Sequence, residues 1–309
     1  MIRGRREFLR GASALVAGVL IPRPGEGEDR SRLILLGTGG GPRPRKASSA
    51  PSQVILMNDA AYVVDCGDGV ARQLVTAGVR LPQIRHIFLT HQHSDHNADF
   101  GNLILLAWTS GLRTPVDCWG PPPLQRMVTH FFDMNSYDIR TRIDDEGRIP
   151  LRPLVNVHEI VDGGLLFEDE NVQVRAAIVD HPPVVPSFGF RFDCPDRSIV
   201  ISGDTRPSDN LIELARGADV LVHEAFYPAG VDRLVAGVPN ASTLARSIRS
   251  HHTSAADAGR VAQAAGVKTL VLSHLVPADD PEITEQMWVD AAAKAFNGRI
   301  IVGGDLLEI

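Results

Sequence analysis

Short apolar runs alternate with stretches of helical periodicity along most of this chain. Runs at residues 33–36, 54–57 and 62–64 are rich in aliphatic and β-branched residues and are bounded by Gly, Pro, Asn and Asp, which predicts strands. The early strands follow one another like hairpins, whereas later strands alternate with helices, which predicts sheets covered by helices rather than a simple parallel sheet. The later predicted strands are 84–89, 172–179, 188–192, 198–202, 220–223, 269–274 and 300–302, and the predicted helices are 70–77, 102–108, 124–132, 211–215, 255–265 and 282–295.

The N-terminus has the order of residues found in export signals. Arg5 and Arg6 stand in the sequence Arg-Arg-Glu-Phe-Leu-Arg, and an apolar stretch from about residue 12 to residue 21 follows. The order resembles a twin-arginine signal, and the apolar stretch is too short to span a bilayer as a mature helix. We therefore expect residues 1–28 to be a signal read by the twin-arginine export machinery, with no stable membrane anchor and a periplasmic or secreted protein. The alternatives are an amphipathic N-terminal helix and basic residues that happen to precede a core strand.

The composition is that of an ordinary folded protein of 309 residues, of which 44% are hydrophobic and 22% are charged. Residues 29–309 are long enough to form one domain with a substantial core. The formal net charge of −6 disfavours a long basic groove for nucleic acid, although it leaves room for a local basic patch. Cys66, Cys118 and Cys194 are an odd set without a C-x-x-C pair, so we interpret them as small buried hydrophobic residues and not as zinc ligands.

The strongest chemical signal is the run Thr-His-Gln-His-Ser-Asp-His, which directly follows the predicted strand 84–89. His91 and His93 are two positions apart at a strand end, where alternate side chains project to the same side and can share one metal ion. The chain then turns, so Asp95 and His96 can present a carboxylate and an imidazole to an adjacent metal ion. Neutral imidazole and carboxylate ligands suit Zn²⁺ and also accommodate Mn or Fe.

Three more residues of metal-binding type come at the ends of predicted strands farther along the chain. They are His181, Asp204 and His274. Each one alone is more often a structural residue with satisfied hydrogen bonds. All three lie where an apolar strand gives way to a polar loop, so together they predict the remaining ligands of a site for two divalent metal ions.

The ordered set of motifs resembles the metallo-β-lactamase superfamily, specifically its ribonuclease Z and arylsulfatase-like branch. The resemblance covers about residues 33 to 309, and the histidine motif at 90–96 is its most specific part. The other motifs that carry it are Leu-Gly-Thr-Gly-Gly-Gly-Pro at 36–42, Val-Asp-Cys-Gly-Asp-Gly at 64–69, Pro-Ser-Phe-Gly-Phe-Arg at 186–191, Ser-Gly-Asp-Thr at 202–205, His-Glu-Ala at 223–225, His-Thr-Ser at 252–254 and Leu-Ser-His at 272–274.

The resemblance implies both a fold and a ligand set. The fold would be α/β, a four-layer αββα sandwich in which two mixed sheets pack face to face and the site lies in a cleft at one edge. The implied ligands are His91, His93 and His181 for one metal ion, Asp95, His96 and His274 for the second, and Asp204 as the bridge between them.

Two such metal ions can share a water molecule and lower its pKa, so a bridging hydroxide would be the nucleophile of a metal-dependent ester hydrolase. The resemblance gives Asp95 the further role of accepting the proton of that water. It gives His252, partnered by Glu224, the role of stabilising the leaving group or a non-bridging oxygen. His252 also stands just before the predicted helix 255–265, where the Thr and Ser that follow it can serve as N-caps. Asp65 either orients a ligand imidazole or satisfies the amides of its own turn.

The expected substrate depends on a missing segment. In the family pattern of bacterial ribonuclease Z, a long Gly- and Lys-rich arm grips tRNA. In this chain only a few residues separate Arg191 from the predicted strand 198–202, so the arm is missing. With the acidic charge and the export signal, this leads us to expect an arylsulfatase- or phosphodiesterase-like enzyme for small phosphodiesters or sulfate esters, with a small-molecule substrate and no nucleic acid. The alternatives are a ribonuclease Z-type endonuclease, a lactonase or β-lactamase, and a non-catalytic metal-binding protein. A homodimer is left open.

Overall fold

Two seven-stranded sheets pack face to face in the computed structural model, which describes residues 30–309. The first sheet consists of β1 (Arg32–Gly37), β2 (Ser52–Met57), β3 (Ala60–Val64), β4 (Ile84–Phe88), β5 (Val116–Gly120), β6 (Val155–Glu159) and β14 (Leu307–Glu308). The second sheet consists of β7 (Gly164–Glu168), β8 (Gln173–Val179), β9 (Ser187–Asp193), β10 (Ser198–Ile201), β11 (Val220–Phe226), β12 (Thr269–Val276) and β13 (Arg299–Val302). Their spatial orders are β14-β1-β2-β3-β4-β5-β6 and β13-β12-β11-β10-β9-β8-β7.

Each sheet is antiparallel at one end and parallel at the other. In the first sheet the neighbours from β14 to β3 are antiparallel and those from β3 to β6 are parallel. In the second sheet the neighbours from β7 to β10 are antiparallel and those from β10 to β13 are parallel. As a result β8, β10, β11 and β12 all end at the same edge of the second sheet.

The alternation of side chains along the strands divides the core into layers. On β1, Leu33 and Leu35 pack with the second sheet, whereas Ile34 and Leu36 pack with the helices outside the first sheet. Both faces of both sheets are covered, so the central strands are almost continuously apolar. The predicted four-layer αββα sandwich is confirmed.

Helices cover the outer faces of the two sheets, with α1, α3 and α4 over the first sheet and α6, α9 and α10 over the second. Their bounds are α1 (Val70–Thr76), α2 (Ser94–Asn97), α3 (Phe100–Thr109), α4 (Leu124–Met134), α5 (Ser136–Glu146), α6 (Asp209–Leu214), α7 (Pro228–Ala236), α8 (Leu244–His251), α9 (Ala255–Ala265) and α10 (Glu285–Ala293). Ser254 caps α9, because its side chain accepts the Asp257 N–H, and this confirms one of the two expected N-caps.

The apolar pattern did not predict β5, β6, β7, β14, α2, α5, α7 or α8. β6 has no fully buried residue, and α5 buries Ile139 alone, so neither element carries a clear periodic signal. These elements form because the neighbouring sheet or helix supplies their partners.

Residues 1–29 lie outside the described residues, so the predicted signal at 1–28 and the domain boundary after it stay predictions. Among residues 30–309, every helix is too short or too polar to cross a lipid bilayer. All three cysteines are free. Cys66 and Cys118 are fully buried, as expected of small hydrophobic residues, while Cys194 is only half-buried.

Candidate metal centre

All seven predicted ligands lie at one edge of the sandwich. They come from the loop after β4, from α2, from the loops after β8 and β10, and from β12. They are His91, His93, Asp95, His96, His181, Asp204 and His274. Because the strands of the second sheet that carry ligands end at the same edge, the fold brings together residues as far apart in sequence as 179 positions.

His91, His93 and His181, called here the first donor group, converge on one oxygen of Asp204. His93 Nδ1 lies 3.0 Å from His91 Nε2 and 3.2 Å from His181 Nε2. Asp204 Oδ2 lies 3.7 Å from His91 Nε2 and 3.9 Å from His181 Nε2. Three imidazole nitrogens and one carboxylate oxygen thus surround a single point.

Asp95, His96 and His274, called here the second donor group, face the other oxygen of Asp204. Asp204 Oδ1 is 3.3 Å from His96 Nε2 and 3.3 Å from His274 Nε2. Asp95 Oδ2 is 3.6 Å from His96 Nε2 and 3.4 Å from His274 Nε2. The two oxygens of one carboxylate therefore connect two neighbouring clusters of donor atoms.

The donor atoms fit a metal ion better than they fit one another. Among the described residues, His96 Nε2 and Asp204 Oδ1 are buried and have no hydrogen-bond partner, which is rare unless another group satisfies them. Within each cluster the ligand atoms lie within 4.8 Å of one another. Imidazole and carboxylate donors at this spacing are those that transition metals and zinc take. The His and Asp clusters therefore fit a dinuclear metal site.

Hydrogen bonds on the far side of the rings fix which nitrogen faces each cluster. His91 Nδ1 lies 3.0 Å from Thr90 Oγ1, and His181 Nδ1 lies 3.0 Å from the carbonyl oxygen of His251. His96 Nδ1 lies 2.7 Å from Asp65 Oδ2. When these nitrogens carry the proton, each Nε2 presents a lone pair to a metal ion.

Asp65 has the orienting contact that the sequence analysis considered, and the amide that its carboxylate accepts belongs to the loop after β4 and not to its own turn. Its Oδ1 accepts the Thr90 N–H at 2.8 Å, while Oδ2 contacts the His96 ring. The contact of His181 with the His251 carbonyl was not predicted, since it involves the backbone and leaves no signal in residue types.

Burial and local charge set the protonation of the ligands. Burial lowers the pKa of His91 well below its ordinary value and lowers that of His181 to about 4, so both rings are neutral donors at neutral pH. Burial raises the pKa of Asp95, but the charge of His96 and the hydrogen bond to His274 outweigh it and hold this pKa below its usual range. Asp95 is thus a carboxylate, as a metal ligand must be.

His252 and Glu224 form a buried pair beside the two donor groups. His252 Nδ1 is 3.0 Å and 3.1 Å from the two oxygens of Glu224, and the Thr205 N–H donates to Glu224 Oε1 at 2.8 Å. Burial lowers the pKa of His252, but the charge of Glu224 and its hydrogen bond outweigh it and raise this pKa to about 9. The His252 side chain is 14% exposed and that of Glu224 is 1% exposed, so His252 is the member that a substrate can reach.

Comparison with known proteins shows which family this chain belongs to. A sequence profile described as Beta-lactamase superfamily domain matches residues 61–275. The chain belongs to the metallo-β-lactamase superfamily, in its ribonuclease Z branch. It is 36% identical over 280 residues to a protein named Ribonuclease Z from Mycobacterium bovis (strain BCG / Pasteur 1173P2), a match that covers 90% of this chain and 97% of that one. It is 37% identical over 279 residues to the Ribonuclease Z of Mycobacterium sp. (strain KMS), covering 90% and 95%.

Solved structures share the fold at lower identity. Human tRNase Z, short form, superposes with a TM-score of 0.66 at 22% identity, covering 90% of this chain and 98% of that one. The metallo-beta-lactamase fold protein YhfI from Bacillus subtilis superposes with a TM-score of 0.67 at 19% identity, with the same coverage. At these identities the likeness shows the fold alone. The family profile and the relatives named Ribonuclease Z make this chain a metal-dependent hydrolase of the superfamily.

These relatives overturn the substrate that the sequence analysis expected. The expectation of a small-ester hydrolase related to arylsulfatases is wrong, because relatives matched over 97% of their length bear the name Ribonuclease Z. The arm is absent as expected, since residues 194–197 alone join β9 to β10. The absence of the arm does not set this chain apart from the proteins named Ribonuclease Z, because the match covers nearly their whole length.

The same relatives show that two further expectations are wrong. These are that no nucleic acid is expected as a partner and that the enzyme is periplasmic or secreted. Net charge is a sum over the whole surface, whereas phosphate binding depends on the local potential near the site, so a charge of −6 carries little weight. The location was inferred from residues 1–28, which belong to the part of the chain outside the described residues.

Proposed function

We propose that this chain is a ribonuclease Z-type endonuclease that hydrolyses a phosphodiester bond of a precursor tRNA. The observation that carries the proposal is the 36% identity to the Ribonuclease Z of Mycobacterium bovis, over 90% of this chain and 97% of that one. The two donor groups joined by Asp204, with His252 and Glu224 beside them, suit hydrolysis of a phosphate ester, because two-metal sites stabilise both the attacking and the leaving oxygen.

In this proposal the first donor group with Asp204 would hold one metal ion, and the second donor group with Asp204 would hold the other. When bound, the two ions supply a nucleophilic water and polarise the phosphate. The imidazole-rich donor set favours Zn²⁺, and elemental analysis of the purified protein distinguishes zinc from Mn or Fe.

His252 would donate to the leaving oxygen, and Glu224 would hold its ring in place. Glu224 holds the His252 ring by its Nδ1 atom, and the raised pKa of His252, about 9, keeps the ring protonated at neutral pH. A protonated imidazole beside the metal centre can donate a hydrogen bond or its proton to the oxygen that leaves the phosphorus. Thr205, which donates to Glu224, keeps the carboxylate in place.

The test is cleavage of a precursor tRNA with extensions at both ends, labelled at both ends, by metal-loaded protein. We expect cleavage by the wild type, a loss of at least about 1000-fold in His93→Ala, and wild-type rates in His158→Ala, whose ring pairs with Asp117 outside the metal centre. Wild-type protein that binds two metal ions but leaves every precursor tRNA intact would refute the proposal.

A further inference from the structure

A turn of three glycines closes one side of the second donor group. The Gly41 N–H donates to Asp95 Oδ2 at 2.8 Å. Gly40 lies so close to His274 that a Cβ atom at this position would stand 2.5 Å from Nδ1 of the ring. Gly41 has a φ of 87°, a conformation that favours glycine. The turn therefore touches two of the three residues in this group.

The guanidinium of Arg45 binds the carbonyl groups of the same turn. Nη1 donates to Gly39 O at 3.1 Å, and Nη2 donates to Gly41 O at 3.1 Å and also to Gly40 O. Within residues 30–309 this guanidinium forms no ion pair, so its hydrogen-bond partners are backbone oxygens. Five donors in a planar fork allow one arginine to hold several carbonyls in a fixed arrangement.

One peptide unit connects Arg45 to Asp95. The carbonyl of Gly40 points to Arg45, and the N–H of Gly41 in the same peptide group points to Asp95. In a planar trans peptide these two bonds point in opposite directions, so fixing the carbonyl also fixes the N–H. Arg45 thus determines the direction of the donor that orients a predicted metal ligand.

The base of the turn is held independently of Arg45. Asp305 accepts the Thr38 N–H at 3.0 Å and the Ser49 N–H at 2.6 Å, and so clamps both ends of the loop. The Gly40 N–H donates to the carbonyl of Leu275 at 3.1 Å. We expect that loss of Arg45 loosens the tip of the turn and leaves the sheets unchanged.

We propose that Arg45 is a positioning residue which, through the peptide between Gly40 and Gly41, orients Asp95 and so sets the metal affinity of the second donor group. The proposal deepens the proposed function, on which its effect on turnover rests. Its effect on metal binding is independent of the substrate.

The test measures metal affinity by competition with a chelator, in backgrounds that leave one metal ion each. In His93→Ala protein, which keeps the second donor group, adding Arg45→Ala should raise the metal Kd about 10- to 100-fold. In His274→Ala protein, which keeps the first donor group, the same change should leave the Kd within about twofold. Equal effects in the two backgrounds, or none in either, would overturn the proposal.

Arg43→Ala is the matched control, because Arg43 lies in the same loop but pairs with Asp279 at the surface. It should leave both affinities unchanged, and a loss equal to that of Arg45→Ala would contradict the proposal. Arg45→Lys keeps the charge but cannot span three carbonyls, so it should not restore the affinity. It also decides the question if Arg45→Ala does not fold, and full affinity in Arg45→Lys would then refute the assignment.

Turnover gives a separate readout on precursor tRNA. In otherwise wild-type protein, Arg45→Ala should lower kcat about 10-fold or more with KM within about twofold, because the turn contacts ligands and not the bulk of the substrate. If wild-type protein binds two metal ions but cuts no tRNA, the proposed function fails while the metal-affinity result still tests Arg45.

Discussion

The two donor groups share Asp204 but differ in how they meet solvent. In the second group Asp95, His96 and His274 are all buried, with exposures of 6%, 2% and 5%. The first group has one exposed member, His93, beside two buried histidines. The first group is therefore the more open of the two to solvent, whereas the glycine turn covers part of the second.

The groups also differ in what supports their rings. The first group's rings are held by neutral acceptors, a threonine hydroxyl and the backbone carbonyl of His251. The second group is held by the carboxylate of Asp65 and by the Gly41 N–H. In a buried cluster of charged groups, removing one partner leaves another charge unpaired and destabilises the fold. In a cluster that is open to water, solvent can replace the lost partner. We expect changes in the second group to cost stability as well as metal.

The largest effect should follow from Asp204→Asn, since this change touches both groups at once. An amide offers one oxygen and no charge, so both metal ions should be lost and hydrolysis should fall at least about 1000-fold. Elemental analysis and turnover on precursor tRNA check it. Retention of one tightly bound ion would show that Asp204 does not serve both groups.

His96→Ala and His93→Ala should separate the groups by stability. In metal-free protein, removing His96 leaves the buried carboxylate of Asp65 without its imidazole partner, and the free energy of unfolding should fall by about 3–5 kcal/mol. Removing the exposed His93 should cost less than about 1 kcal/mol. Urea unfolding of both variants measures the difference, and equal losses would refute the contrast.

Asp65→Asn should weaken the second group more than the first, because Asp65 contacts the His96 ring directly and reaches His91 only through the Thr90 hydroxyl. The amide oxygen can still face His96 Nδ1, but the lost charge makes the ring a poorer ligand, so affinity for one metal ion should fall about 10- to 100-fold. The comparison is Asp117→Asn, a carboxylate that pairs with His158 away from both groups and should leave metal binding unchanged. Equally weakened binding of both ions in Asp65→Asn would argue against separate support.

The smallest effect should come from Asp219, which lies outside both groups. Its pKa is lowered to about 2, first by the hydrogen bond from Lys268 and then by that from the Ser198 N–H. When folding lowers the pKa of a carboxyl group, that group stabilises the folded protein at pH values above its pKa in the unfolded chain. The contribution is lost as the pH falls through the folded-state pKa of about 2. Asp219→Asn should therefore lower stability slightly at pH 7, by about 1 kcal/mol or less, with metal content unchanged. Unfolding measured from pH 7 to pH 2 checks the sign.

Much of the metal centre could be predicted because its residues are chemically distinctive and stand at strand ends. His91, His93 and His181 each follow an apolar run, a position that places a polar side chain at a sheet edge. Arg45 gave no comparable signal, since it acts through backbone carbonyls that any residue could supply. The substrate was predicted wrongly, because a short hairpin and a net charge do not describe the surface near the site.

By itself the sequence determined the layered α/β fold and the ligand types, because alternation of apolar residues and the donor chemistry of His and Asp are local properties. The family resemblance implied how the ligands divide into two groups, and the tertiary structure supplies the physical reason for that division. That division depends on the direction of β8, β10 and β12 at one edge and on which oxygen of Asp204 each group faces. Only the tertiary structure decided the contact of Arg45 with the glycine turn. The N–H of a peptide group takes a fixed direction only once the carbonyl of that group has found its partner in the folded chain.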